Sequence, residues 1–110
     1  MTYDAGDVVV VPFPFTDRAA TKRRPALVMS NRRFNDDHQQ VVLAMITSTA
    51  NAGWSSDTPI EDLKATGLGH DSIVRFKLFT LDRALVLRRT GALADSDREA
   101  VQDARARWLL

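Results

Sequence analysis

The feature that most constrains this chain is a series of short apolar runs, separated by polar turns rather than by helical repeats. "DVVVV" (7–11), "PALVMS" (25–30), "VVLAMITS" (41–48), "SIVRFKLFTLD" (72–82) and "ALVLRRTG" (84–91) follow one another along most of the sequence. They are rich in β-branched residues and too short for amphipathic helices, so each reads as a strand. A short strand at "TPIE" (58–61) and a brief helix at "DLKATGLG" (62–69), stopped by Gly67, complete the middle of the chain. About five short strands without regular intervening helices predict an antiparallel sheet or small barrel, closed or nearly so.

Other segments modify that pattern. "PFPF" (12–15) carries two prolines and is not expected to continue as a central strand. Residues 16–23 read as a polar loop, 49–57 as another, and "NRRFNDDHQQ" (31–40) as a turn with room for one helical turn. Near the C-terminal end, Ser96 and Glu99 stand at capping-box spacing, and Val101, Ala104 and Trp108 recur at helical spacing. They predict one helix over 96–108, packed on the β-core through those three residues.

With 110 residues, the chain has the size of a single domain spanning 1–110. Cysteine is absent, which excludes disulfides and thiolate metal sites and fits a reducing, cytoplasmic setting. "MTYDAGD" does not read as a signal peptide, and no apolar run approaches a membrane span.

The formal net charge is only +1, but the charges are not evenly spread. Residues 16–40 and 75–90 are basic, whereas acids gather at 57–71 and 95–103. Arginine supplies most of the basic side chains, and its planar fork matches phosphate better than lysine does. Two basic segments in a near-neutral chain point to a basic face, though a mixed, solvated surface is the plainer account of charge clusters alone.

Several kinds of chemistry find no support. His38 and His70 lie in polar loop sequence and form no metal-spaced pair; a lone loop histidine is usually surface. "GLG" at 67–69 does not follow a strand and open a helix, so it is no phosphate loop. No nucleophile elbow is present, and the adjacent Asp36 and Asp37 do not face each other.

A strand-borne polar set remains. Arg24 precedes Pro25, and the proline pushes it into an extended conformation, giving it a more defined backbone than Lys22 or Arg23. Thr47 and Ser48 close one strand. Arg75 and Lys77 lie two apart in another and share a face. Arginine, hydroxyl and ammonium groups are all phosphate ligands. Each also has a structural reading, as a strand end or a solvated face.

In order and spacing, "GDVVVVPFPF", "KRRPALVMSN", "VVLAMITS" and "DSIVRFKLFTLD", followed by a C-terminal helix, resemble the PemK/MazF family of toxins from type II toxin–antitoxin modules. The resemblance implies an SH3-like antiparallel barrel with short helices. It also implies a homodimer, metal-independent and sequence-preferring cleavage of single-stranded RNA without a cofactor, and neutralisation by a cognate antitoxin. By position, the family's catalytic arginine corresponds to Arg24 and its catalytic hydroxyl to Thr47. Arg75 corresponds to a second basic residue important in some members. Some members place an acid two residues after that arginine, where this chain has Lys77. Lys22, Arg23, Ser48, Arg75 and Lys77 are the expected RNA-binding residues. Phe13, Phe15, Phe34 and Trp54 are candidates for base stacking, with core or loop packing as their plainer role.

RNA cleavage of this kind uses the substrate's own 2′-hydroxyl, giving a 2′,3′-cyclic phosphate and a 5′-hydroxyl. Arg24 suits stabilisation of the phosphoryl charge and suits protonation of the leaving group poorly. The residues alone assign no general base. Two other readings use a similar fold: a toxin that binds DNA gyrase, kept open by "RARWLL" (105–110) with Trp108 near the terminus, and a non-catalytic RNA-binding barrel.

Overall fold

The computed structural model describes residues 2–13 and 22–110; Pro14, Phe15 and the first part of the expected polar loop lie outside them, as does the side chain of Phe13. The chain forms β1 (Asp7–Phe13), β2 (Lys22–Val28), α1 (Arg32–His38), β3 (Gln40–Ser48), β4 (Thr58–Pro59), α2 (Leu63–Thr66), β5 (Ser72–Asp82), β6 (Arg88–Ala92) and α3 (Asp95–Trp108). Single 3₁₀ turns occupy Thr49–Asn51 and Arg83–Leu85. All strand pairs are antiparallel, and the six strands form one curled sheet in the order β4-β5-β3-β2-β1-β6. The mainly β architecture with a C-terminal helix is the one the strand pattern predicts.

Strand alternation divides the core in two. Val9, Val11, Ala26, Val28, Val41, Leu43 and Leu81 pack on one side with Tyr3 and Val86. Val8, Leu27, Ala44, Ile46 and Val74 point the other way and pack with Ile60, Leu93 and Val101. Both faces of the central strands are therefore buried, which is why their sequence is continuously apolar rather than alternating. Each fully buried valine or leucine contributes on the order of 1.5–3 kcal/mol.

Four local expectations change. β1 continues through Pro12 to Phe13, because β6 pairs with β1 only as far as Val10–Arg88 and asks nothing of Pro12 on that side. Lys22 and Arg23 belong to β2 rather than to a loop. The segment 31–40 holds a seven-residue helix, capped by the Asn31 side chain, which accepts from the Phe34 N–H at 2.9 Å. The start of "ALVLRRTG" falls in the 3₁₀ turn Arg83–Leu85, capped by Asp82, and only Arg88–Ala92 is strand.

α3 differs in its contacts. It starts at Asp95, with Ala94 at the N-cap position and no side-chain cap, so the Ser96–Glu99 capping box does not form. The side chain that anchors the first turn is Asp97, which is buried. Its two oxygens accept the N–H groups of Glu61 and Asp62 at 3.0 and 2.9 Å, tying α3 to the segment before α2. Val101 is buried as expected, but Trp108 is half exposed and does not pack in the core.

Candidate functional site

The site begins with the register of β2 on β3. The pairs run Val28–Leu43, Leu27–Ala44 and Ala26–Met45 and then stop at Pro25, which has no N–H to donate. Continuing the same register would set Arg24 opposite Thr47. β2 remains attached to β1 through Val10–Pro25 and Val11–Arg24, so the backbone of Arg24 is held while its β3 side is released. The parted strand ends leave a cleft of about 140 Å³ lined by Arg24, Pro25, Ile46, Thr47, Ser48, Asn51, Leu68, Gly69, His70 and Ser72.

A larger groove, of about 520 Å³, shares Arg24, Pro25, Leu68, Gly69 and His70 with this cleft and continues past Arg23, Arg88, Leu87 and Thr90. The described walls of the two together carry three arginines and a histidine, and no Asp or Glu. Such a concave, cation-lined surface selects anions. A separate small cavity between the start of α3 and β2 is lined by Leu27, Met29, Leu93 and Val101 with Arg98 and Arg105, and carries no comparable hydroxyl set.

Hydrogen bonds orient the hydroxyls. Thr47 Oγ1 accepts from Asn51 Nδ2 at 3.0 Å, which leaves its O–H free to donate into the cleft. Ser48 Oγ accepts from the Ala50 N–H at 3.2 Å and caps the following 3₁₀ turn. Ser72 Oγ donates to the His70 carbonyl at 2.8 Å and pins the loop before β5.

That loop is held from beneath by α2. Gly67 ends α2 at φ 73°, in the left-handed region that favours glycine. Gly91 of β6 lies so close to the helix that an added Cβ would collide with the Ala65 and Thr66 carbonyl groups. Thr90 Oγ1 donates to the Thr66 carbonyl at 2.8 Å across the same junction. The contact seats the loop whose residues 68–70 line the cleft together with Arg24.

Arg75 does not line the cleft; it braces the loop that does. Its Nε and one terminal nitrogen form a fork on Asp57, at 3.0 and 2.8 Å, and it also donates to the Asn51 carbonyl at 2.9 Å. Its guanidinium lies 4.9 Å from the centre of the Trp54 ring. Asp57 accepts two further N–H groups, from Gly53 and Trp54. Hydrogen bonding by Arg75, and secondarily by those amides, holds the Asp57 carboxyl at about 2, while Asp57 raises the Arg75 pKa. The chain of contacts Asp57–Arg75–Asn51–Thr47 couples an ion pair to the cleft hydroxyl.

Arg24, Thr47, Ser48 and Arg23 thus come together as the sequence suggests. Lys22 is exposed at the start of β2, and Lys77 is exposed where β5 departs from regular pairing; neither lines the cleft. Trp54 is occupied by Arg75, and Phe34 meets His38 edge-on on α1. Asp36 pairs with Arg83 and Asp37 with Arg33. Sequence reasoning missed Asn51, Arg88 and His70. His70 is exposed, as its polar neighbours suggest, and it also lines the cleft. Among the described residues, no group of three or more His, Cys, Asp or Glu side chains comes together as a metal site, and no helix is long and apolar enough to cross a membrane.

No curated protein matches the chain by sequence. Among solved structures, a MazF from Deinococcus radiodurans superposes with a TM-score of 0.76 at 22% identity, covering 99% of this chain and 97% of that one. The Mycobacterium tuberculosis toxin MazF-mt6 gives 0.73 at 22% identity, covering 92% and 93%. An endoribonuclease in complex with its cognate antitoxin, from a mycobacterial species, gives 0.74 at 15% identity, covering 96% and 91%. At these identities the likeness is one of fold. Residues 4–109 match the family of PemK-like, MazF-like toxins of type II toxin–antitoxin systems, and the chain belongs to that family.

Proposed function

We propose that the protein is a toxin that cleaves single-stranded RNA, and that the cleft between β2 and β3 is its active site. One observation carries the proposal: Arg24 and Thr47, remote in sequence, line a single cation-walled cleft with no Asp or Glu among its described residues. The family and the endoribonuclease among its structural neighbours support the same reading.

The chemistry follows from the substrate. The 2′-hydroxyl is already beside the phosphorus, so attack is intramolecular and proximity supplies much of the acceleration. Arg24 offers a charge-assisted fork to the non-bridging oxygens, where negative charge grows as the phosphorus becomes five-coordinate. Thr47, with its acceptor side occupied by Asn51, donates its O–H to the same phosphate, and Ser48 adds a second hydroxyl. Arg23 and Arg88 attract the flanking phosphates along the groove. The products are a 2′,3′-cyclic phosphate and a 5′-hydroxyl.

In the same proposal the toxin acts in the cytoplasm as a two-fold homodimer whose paired surfaces lengthen the RNA groove. A cognate antitoxin, acidic with apolar anchors, covers that groove. The MazE–MazF complexes among the structural neighbours support an antitoxin partner. A second reading rests on the exposed Trp108 at the end of α3 and Leu109 just after it, which suit a protein target such as gyrase. Incubation with total RNA in EDTA, followed by mapping of the ends, separates the two. Cuts bearing 2′,3′-cyclic phosphates support the ribonuclease, and intact RNA removes it.

A further inference from the structure

We propose that His70 is the general acid of the cleft, protonating the departing 5′-oxygen; this rests on the ribonuclease reading above. Three observations converge on it. His70 lines both the cleft beside Thr47 and the groove beside Arg23 and Arg88, so it sits at their junction, next to Arg24. Among the described lining residues it is the only side chain of a type that exchanges protons near neutrality; the others are arginines, hydroxyls, an amide and apolar groups. The nearby carboxylate of Asp57 is committed to Arg75. Finally, the histidine's backbone is fixed while its ring is not: the carbonyl accepts from Ser72, the loop is seated on α2 and β6, and the exposed imidazole has no hydrogen-bond partner among the described residues. A ring with no hydrogen-bonding task among the described residues, carried by a pinned backbone at the wall of the cleft, is free to serve chemistry.

The step balances as follows. The O2′–P bond forms and the 2′-hydroxyl proton passes to solvent water. The P–O5′ bond breaks, and the imidazolium of His70 gives its proton to O5′, leaving a 5′-hydroxyl. The neutral ring then regains a proton from solvent. The charged groups facing His70 are Arg23 and Arg24 from β2 and Arg88 from β6, with Asp71 its neighbour in the chain. β3 contributes only the uncharged Thr47 and Ser48. Arg24 is spared the proton transfer for which its basicity is unsuited, and acts on charge alone.

The test compares the wild-type protein with His70→Gln on two RNA oligonucleotides, one normal and one with sulfur replacing O5′ at the scissile linkage. A thiolate leaves without protonation. On the normal substrate His70→Gln should be slower by about 10²-fold or more. On the sulfur substrate the variant should match wild type. Equal rates on the normal substrate, or an equal defect on both, would overturn the assignment while leaving the ribonuclease reading intact. Wild-type protein that cuts neither substrate would remove both. Unchanged melting temperature and circular dichroism show that the variant is folded.

Discussion

Arg24 and Thr47 line one cleft, and the β2–β3 register, extended two steps beyond its last pair, Ala26–Met45, past the point where Pro25 ends the ladder, would set them opposite each other. A residue held by β1 but released from β3 can turn its side chain into the gap. Arg24 is exposed and bears no load in the core. Arg24→Lys keeps the charge and loses the planar fork, so cleavage should fall by about 10²–10³-fold, close to the loss in Arg24→Ala. The melting temperature of both variants should stay near wild type. Full activity of Arg24→Lys in a single-turnover assay would show that only charge is needed there.

Thr47 should be sensitive to its hydroxyl rather than to its shape. Thr47→Val retains the branched side chain in β3 and removes both the donor to the cleft and the acceptor for Asn51. Turnover should drop by roughly tenfold or more, in line with the loss of one hydrogen bond to a charged group. Thr47→Ser should keep most activity. Because Thr47 is near the surface, neither change should lower stability by more than about 1 kcal/mol.

Much of this was legible in the sequence because the signals are local. The valine runs of β1 and β3 and the position of Arg24 against Pro25 depend on the chain within a few residues. Pro12 was misread because a proline costs a strand only where a neighbour needs its N–H, and β6 ends before reaching it. Trp108 was misread because helical spacing assigns a face, while the sheet decides how far along the helix that face is covered. His70 was invisible for a stronger reason. Its place in the cleft beside α2 goes with the close approach of α2 to Gly91, and nothing in "GLGH" records that contact.

The contact can be tested directly. Gly91→Ala would drive a Cβ into backbone carbonyl groups of α2, which cannot move aside as a flexible side chain can. Overpacking of this kind costs about 1–3 kcal/mol. If the same junction seats residues 68–70, the variant should also lose cleavage beyond what its lowered stability explains, measured well below its melting temperature.

Asp57 gives a pH prediction with a definite sign. Its folded-state pKa, about 2, lies below the ordinary carboxylate value of 3.8, mainly through the Arg75 fork. A depressed carboxyl contributes stability above the unfolded value and loses it as pH falls through the folded one. Stability should therefore decline between about pH 4 and pH 2. Asp57→Asn should be less stable than wild type at pH 7 and should show a smaller decline over that window, in chemical denaturation at each pH. An identical pH dependence in the variant would detach the ion pair from the loop.

The last prediction follows from the source of the nucleophile. If the cleft only stabilises charge and positions the phosphate, the attacking group must come from the RNA. An oligonucleotide with 2′-deoxyribose at the scissile position alone should bind with nearly unchanged affinity, because the role proposed for the groove arginines Arg23, Arg24 and Arg88 is to hold phosphates and not that hydroxyl. It should remain intact on prolonged incubation, and it should competitively inhibit cleavage of the all-ribose strand. Binding without cleavage would locate the nucleophile in the substrate. Cleavage of the deoxy substrate would mean that water or a protein side chain attacks instead, and the role given to the 2′-hydroxyl would fall.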